Sequence, residues 1–141
     1  MGFVYERKIN YYETDKMGIT HHSNYIRFME EARIYFLETI GWSYDKIEKE
    51  GIISPVLSVT CDYKKTTTFP DELEIEVTVA EVNPVKFKLN YLMTVDSDTV
   101  CTGSSTHCFL NVERRPVSIQ KQYPAFYDTL LKLREQSNQS R

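Results

Sequence analysis

The sequence has few of the features that mark secreted, membrane-spanning or nucleic-acid-binding proteins. Its three cysteines, Cys61, Cys101 and Cys108, are an odd number without paired metal-ligand spacing, which is typical of reduced thiols in the cytosol. The longest unbroken apolar run, residues 34–37, is too short for a membrane span or a signal-peptide core. The formal net charge of -3 argues against general nucleic-acid binding, which usually requires a basic excess. These absences predict a cytoplasmic protein with no membrane span and no nucleic-acid partner.

Familiar catalytic and cofactor motifs are also missing. The sequence has no glycine-rich phosphate loop, no G-x-S-x-G elbow and no H-E-x-x-H zinc helix. The histidines are His21, His22 and His107, and adjacent side chains of a regular element diverge too much to share one metal ion easily. We therefore expect no metal and no bound cofactor, and we predict that His107 is a hydrogen-bonded residue of a strand.

The length and composition predict one globular domain. The chain has 141 residues, of which 41% are hydrophobic and 26% are charged. We assign residues 1–135 to this domain and expect the polar tail, residues 136–141, to be frayed. The ten tyrosines favour half-buried sheet surfaces and subunit interfaces, because the ring is apolar and the hydroxyl can remain in water.

The clearest predicted helix begins at Ser23 or Asn24 and ends at Ile40. Its apolar residues recur at the i, i+3, i+4, i+7 spacing of a buried stripe: Tyr25, Phe28, Met29, Ala32, Phe36 and Ile40. Ser23 or Asn24 is predicted to cap the first turn, and Gly41 stands where a left-handed residue ends a helix. A shorter helix is predicted over residues 44–50.

The remaining elements are predicted to be strands and one short C-terminal helix. Alternation of apolar and polar residues predicts a first strand over residues 3–12 and four more at 56–63, 73–79, 85–93 and 99–110. The amphipathic C-terminal helix is predicted over residues 124–134. Short connections between consecutive strands require antiparallel pairing, so the fold class is α+β. We expect one sheet to curl around the long helix and to leave open edges that favour pairing with a second copy.

A loop just before the long helix contains the candidate catalytic residues. Residues 15–25 read Asp-Lys-Met-Gly-Ile-Thr-His-His-Ser-Asn-Tyr. An Asp close to a Gly in such a loop is usually a turn residue. Alternatively, its carboxylate lies beside the unpaired first amides of the helix, where the positive end of the helix dipole suits a developing oxyanion. Residue spacing alone leaves both interpretations open.

These residues resemble a known family motif. The motif comprises Asp15-x-x-Gly18, His22, Tyr25, Phe28 and Glu30-x-Ala32-Arg33. It is similar to the small acyl-CoA thioesterases of the hotdog fold, in particular the 4-hydroxybenzoyl-CoA thioesterase-like group with its Tol–Pal-associated bacterial members. The similarity extends over nearly the whole chain. It implies a five-stranded antiparallel sheet wrapped around one long helix, homodimers that can pair into homotetramers, and active sites at the dimer interface.

The resemblance also implies a mechanism. Asp15 would attack the thioester carbonyl carbon or activate a water, and the backbone N–H of His22 would polarise the carbonyl oxygen. Gly18 would permit the tight loop, and Tyr25 would pack the helix start or line the acyl pocket. A thioester suits such simple machinery, because its carbonyl is poorly stabilised by resonance and its thiolate leaves well. No metal or cofactor is required.

The family resemblance is less complete in the regions that bind substrate. The family often has an aromatic residue and a valine where this chain has Thr20 and His21. In the loop before the third sheet strand, where members hold CoA phosphates, Lys86 is the available cation, with Lys88 two residues further on. The other basic candidates for substrate binding are Lys64, Lys65, Arg114 and Arg115. Each of these residues has an alternative interpretation as an ordinary solvated charge.

Three functions remain open at this stage. The first is an acyl-CoA thioesterase acting on a medium-chain, long-chain or aryl-CoA. The second is a thioesterase for acyl chains on an acidic acyl carrier protein, and the third is a non-catalytic acyl-thioester binder. Glu30 and Glu31 are rival candidates for the catalytic carboxylate, because some hotdog thioesterases use a helical Glu.

Overall fold

The computed structural model describes residues 3–139, which form one antiparallel sheet and four α-helices. The strands are β1 (Phe3–Lys8), β2 (Val56–Tyr63), β3 (Glu72–Val82), β4 (Lys86–Val95) and β5 (Asp98–Cys108). The helices are α1 (Asn24–Thr39), α2 (Tyr44–Lys49), α3 (Ile119–Gln122) and α4 (Pro124–Gln139). The strand order is β1-β3-β4-β5-β2, with every neighbouring pair antiparallel. The predicted α+β class and five-stranded sheet are confirmed.

Helix α1 packs its apolar stripe against the inner face of the sheet. Strand β3 alternates buried residues with exposed or half-buried ones, and the buried ones are Leu73, Ile75, Val77, Val79 and Val82. The predicted stripe of α1 is buried from Tyr25 to Phe36, whereas Ile40 lies half-buried at its end. Gly103 of β5 permits α1 to approach the sheet closely, because a Cβ atom at this position would overlap the Met29 methyl group of α1 and the Thr60 carbonyl oxygen of β2.

Strand β1 is shorter than predicted. It ends at Lys8 and is followed by a 3-10 turn over Tyr11–Glu13, so Tyr11, which lies inside the predicted strand, is outside the observed one and 77% exposed. The prediction failed because Glu13 ends the strand. Its carboxylate accepts hydrogen bonds from Arg7 at 2.7 and 3.0 Å and from the Asn10 amide at 2.8 Å. The guanidinium of Arg7 also lies 4.2 Å from the centre of the Phe28 ring.

The ends of the helices agree only in part with the sequence patterns. Gly41 follows α1 with φ +88°, as predicted, but neither Ser23 nor Asn24 caps the start of α1 through its side chain. The Ser23 hydroxyl instead bonds to Nδ1 of His21 at 2.9 Å, and Asn24 Nδ2 donates to the Glu13 carbonyl at 2.8 Å. Helix α4 continues beyond the predicted end at residue 134, so residues 136–139 of the predicted tail are helical and residues 140–141 lie outside the described range.

The two edge strands are β1 and β2, and their outer edges pair with nothing in the described part of the chain. Strand β2 exposes Val56 and Leu57 by 46% and 50%. None of the four helices is both long enough and apolar enough to cross a membrane.

Candidate active site

The loop between β1 and α1 forms a tight turn that positions Asp15. Asp15 Oδ1 accepts a hydrogen bond from the Met17 amide at 2.8 Å, and the Gly18 amide donates to the Asp15 carbonyl at 2.9 Å. Gly18 has φ +77°, a conformation that side-chain-bearing residues rarely adopt. Oδ2 of Asp15 has no hydrogen-bond partner within residues 3–139, so it is available for chemistry.

Buried hydroxyl groups fix this loop to the rest of the fold. The Thr67 hydroxyl lies 2.6 Å from that of Thr20 and 2.8 Å from that of Tyr25, and the Thr20 amide donates to the Thr67 carbonyl. The Thr68 hydroxyl donates to the Gly18 carbonyl at 2.7 Å. A polar residue is therefore accommodated at position 20, because its hydroxyl is paired inside the protein.

The backbone amide of His22 is free at the entrance to α1. Its neighbours are paired: the His21 amide donates to the Glu13 carbonyl at 2.9 Å, and the Ser23 amide donates to His21 Nδ1 at 3.2 Å. For the His22 amide, the described chain provides no acceptor. An unpaired N–H at the positive end of a helix is suited to binding a developing negative charge.

A cavity of about 310 Å³ lies between this loop, the start of α1 and the end of β2. It is lined by Asp15, Met17, Ile19, Thr20, His22, Tyr25, Tyr63, Lys64, Lys65 and Thr66. The cavity thus combines a carboxylate, apolar and aromatic walls, and two ammonium groups. The structure brings together five of the predicted site residues here: Asp15, His22, Tyr25, Lys64 and Lys65.

The sequence analysis missed Tyr63, which forms one wall of the cavity. Its hydroxyl donates to the His22 carbonyl at 3.1 Å, and its ring centre lies 5.2 Å from that of Tyr25. Removal from water, and then the neighbouring Cys61 thiol, raise the pKa of Tyr63 to about 12, so the hydroxyl remains a donor. In the sequence Tyr63 is only the last residue of a strand, and no local pattern distinguishes it.

The other predicted basic residues lie elsewhere in the described chain. Lys86 and Lys88 line a separate, smaller depression, and Arg114 and Arg115 are exposed in the loop after β5. A role for these four residues in substrate binding therefore stays a prediction. Lys65 lines the same cavity as Asp15, and its Nζ lies 3.4 Å from Asp98 in an exposed ion pair of small energetic value.

The rival carboxylates on α1 do not line the Asp15 cavity. Glu31 accepts a hydrogen bond from the Tyr5 hydroxyl at 3.0 Å and lies 3.5 Å from Arg7 Nη1. Glu30 borders a different cavity, with Arg33. Both positions favour Asp15 as the carboxylate of the site.

The histidines provide no centre for a metal ion within residues 3–139, where no three His, Cys, Asp or Glu side chains are grouped closely enough to hold one. His107 is a buried strand residue whose Nε2 lies 2.7 Å from the Ser105 hydroxyl, which confirms that prediction. Burial, and then the charge of Arg33, lower the pKa of His107 to about 3.

Comparisons with known proteins identify the family to which this chain belongs. Residues 9–130 match the thioesterase-like superfamily. An Aquifex aeolicus protein, whose name describes it provisionally as an esterase, is 35% identical over 122 residues, which cover 86% of this chain and 94% of that protein. A 1,4-dihydroxy-2-naphthoyl-CoA hydrolase of Prochlorococcus marinus is 23% identical over 118 residues, 79% of each chain.

A solved structure gives the same result for the fold. The crystal structure of a DHNA-CoA thioesterase from Staphylococcus aureus superposes with a TM-score of 0.92 and 27% identity, covering 98% of this chain and 94% of that one. The chain therefore belongs to the thioesterase-like superfamily. It has the predicted hotdog fold, and it is a thioester hydrolase.

Proposed function

We propose that this enzyme hydrolyses an acyl-CoA thioester to the free acid and CoA, with Asp15 and the His22 amide as its catalytic groups. The observation that carries the proposal is the shared cavity: the Asp15 carboxylate has a free oxygen, and the His22 amide at the same cavity has no acceptor in the described chain. Lys64 and Lys65 at its edge offer positive charge for the phosphates of CoA.

In the general-base form of the mechanism, Oδ2 of Asp15 takes a proton from a water while the water oxygen attacks the thioester carbon. The carbonyl electron pair moves onto oxygen, where the His22 N–H stabilises it. As the carbonyl re-forms, the carbon–sulfur bond breaks and CoA leaves as a thiolate. In the alternative, Oδ2 itself attacks the carbon and CoA leaves as a thiolate. Water then attacks the Asp15 carboxyl carbon of the mixed anhydride, so that the acid leaves with the former Asp15 oxygen.

The acyl group is proposed to be aromatic. Tyr25 and Tyr63 contribute two rings to the cavity, and Met17 and Ile19 add apolar surface. The naphthoyl-CoA hydrolase of Prochlorococcus marinus has an aromatic substrate by its name, and it aligns with most of this chain. An acyl carrier protein as the donor, and a purely binding role, are the alternatives that the experiment below distinguishes.

The quaternary arrangement is part of the proposal. The open edge of β2 ends at Tyr63 in the cavity wall, so pairing of β2 with a second copy would bring that copy to the cavity. We propose such a homodimer, with two dimers forming a homotetramer.

We also propose a cytoplasmic location, because Cys61, Cys101 and Cys108 are all free thiols. Tol–Pal association stays a prediction.

The test is thiol release from aryl-CoA, from acyl-CoAs of graded chain length and from an acyl carrier protein. Asp15→Asn is expected to lower kcat by about two to four orders of magnitude with unchanged folding, as for loss of a general base. Asp128→Asn, at an exposed position on α4, is the matched control and should behave as wild type. Substrate binding without thiol release would show a binding protein, and full activity of Asp15→Asn would refute the catalytic role.

A single turnover in ¹⁸O-labelled water distinguishes the two mechanisms. A nucleophilic Asp15 leaves unlabelled oxygen in the first product acid and incorporates ¹⁸O into the Asp15 carboxylate. A general base instead gives labelled product and unlabelled protein. Mass spectrometry of the peptide containing Asp15 reads the difference directly.

A further inference from the structure

A second cavity, of about 300 Å³, lies between helices α1 and α2. It is lined by Glu30, Arg33 and Ile34 of α1 and by Tyr44 of α2, and it shares no lining residue with the Asp15 cavity. Arg33 is unusual among these residues, because its side chain is charged and the residue is only 7% exposed.

The Arg33 guanidinium lacks a carboxylate partner. Its Nε donates to the Tyr44 hydroxyl at 3.0 Å and its Nη1 donates to the Tyr91 hydroxyl at 3.5 Å. The ion pairs found within residues 3–139 involve Arg7 and Lys65 but not Arg33. A guanidinium has five N–H donors, so three of those of Arg33 have no acceptor in the described chain.

The buried residues that Arg33 contacts through Tyr91 do not supply a negative charge. The Tyr91 hydroxyl lies 2.6 Å from that of Ser105, which in turn contacts His107. Burial raises the pKa of Tyr91 and lowers that of His107 to about 3, so at neutral pH both side chains are uncharged. A buried cation is normally stabilised by an anion. The remaining open side of Arg33 is the cavity.

From this geometry we propose that Arg33 and Tyr44 form a binding site for a small organic monocarboxylate, separate from the Asp15 cavity. The planar fork of a guanidinium matches the two oxygens of a carboxylate. One negative charge balances the one buried positive charge, whereas a phosphate dianion would exceed it and would be repelled more strongly by the exposed Glu30 at the edge. Ile34 and the ring of Tyr44 can contact the apolar part of the acid.

Benzoate is the probe, and the readout is the ¹H–¹⁵N resonance of Arg33 Nε in the full-length enzyme. We expect a saturable shift at millimolar benzoate, with no shift for the neutral analogue benzamide. Glu30→Gln, which removes the competing negative charge, should lower the Kd by at least twofold. Arg33→Gln should raise the Kd by tenfold or more, as measured by calorimetry. Arg27→Gln, an exposed arginine of the same helix, is the matched control and should leave the Kd unchanged.

Several results would overturn the proposal. One is an Arg33 resonance that does not respond to benzoate in either wild type or Glu30→Gln, and another is equal binding of benzamide. If benzoate has no effect and Arg33→Gln dissociates the oligomer in sedimentation, the anion is a carboxylate of a second copy instead. If Arg33→Gln does not fold, the Kd of Glu30→Gln for benzoate and the response of the wild-type Arg33 resonance to benzamide test the proposal instead. Asp15→Asn must retain benzoate binding at Arg33, so the outcome is independent of the proposed catalytic role.

Discussion

The buried hydroxyl group of Thr67 offers a direct test of what holds the catalytic loop in place. Thr67 is 2% exposed, and its Oγ1 lies between the hydroxyls of Thr20 and Tyr25 at 2.6 and 2.8 Å. Thr67→Val preserves the shape of the side chain and removes the shared partner of both hydroxyls. Each buried hydroxyl that loses its partner costs about 1–3 kcal/mol. The backbone bond from the Thr20 amide to the Thr67 carbonyl is retained.

We therefore expect Thr67→Val to lower the free energy of unfolding by about 2–6 kcal/mol, a large part of the 5–15 kcal/mol typical of a domain. Urea denaturation followed by circular dichroism measures this change, and the slope m should not change. Tyr25→Phe should cost about 1 kcal/mol, and the double variant should cost less than the sum by about 0.5–3 kcal/mol, because the two hydroxyls share one interaction.

Thr67→Val should also affect catalysis, because it alters the position of the loop that carries Asp15. Thr67→Val is expected to lower kcat more than it raises KM, because it touches the loop that holds Asp15 and not the lysines at the cavity edge. Thr78→Val is the control, since Thr78 lies on β3 away from the cavity and has no hydroxyl bond in the described chain. A stability within 0.5 kcal/mol of wild type for Thr67→Val, together with an additive cycle, would refute the reasoning.

Two further predictions concern buried charges. Arg7→Met leaves the Glu13 carboxylate buried without its ion pair and should lower the free energy of unfolding by about 3–5 kcal/mol. Arg27→Met, at an exposed position of α1, is the control and should change the free energy of unfolding in urea little. Equal losses in the two variants would contradict this prediction. His107 has a folded-state pKa of about 3, below its ordinary 6.5, so the unfolded state binds the proton more readily and stability falls as pH decreases between these values. Between pH 6.5 and 5 this amounts to about 1–2 kcal/mol, and His107→Gln should lose that part of the pH dependence in denaturation curves measured across the range. Equal pH dependence in both proteins would contradict it.

The sheet and the long helix were predictable because each is encoded by a regular period in the sequence. The turn at Asp96 and Ser97, both with positive φ, was likewise visible as a polar break between two strands. The early end of β1 was not, because it depends on the tertiary pairing of Arg7 with Glu13, which overrides local alternation. Tyr63 was missed for the same reason: its role arises from where β2 ends relative to His22, 41 residues earlier in the chain.

The features that the sequence patterns predicted wrongly at the start of α1 are those that shape the site. A side-chain cap from Ser23 would have satisfied a free helix amide and added about 1 kcal/mol of stability. The Ser23 hydroxyl is instead held by His21, and Asn24 reaches back to the Glu13 carbonyl. The amide of His22, one residue before the cap position, is free in a position fixed by its paired neighbours on both sides. A helix entrance held by these two hydrogen bonds provides a donor that needs no reorganisation when negative charge develops on a bound carbonyl oxygen.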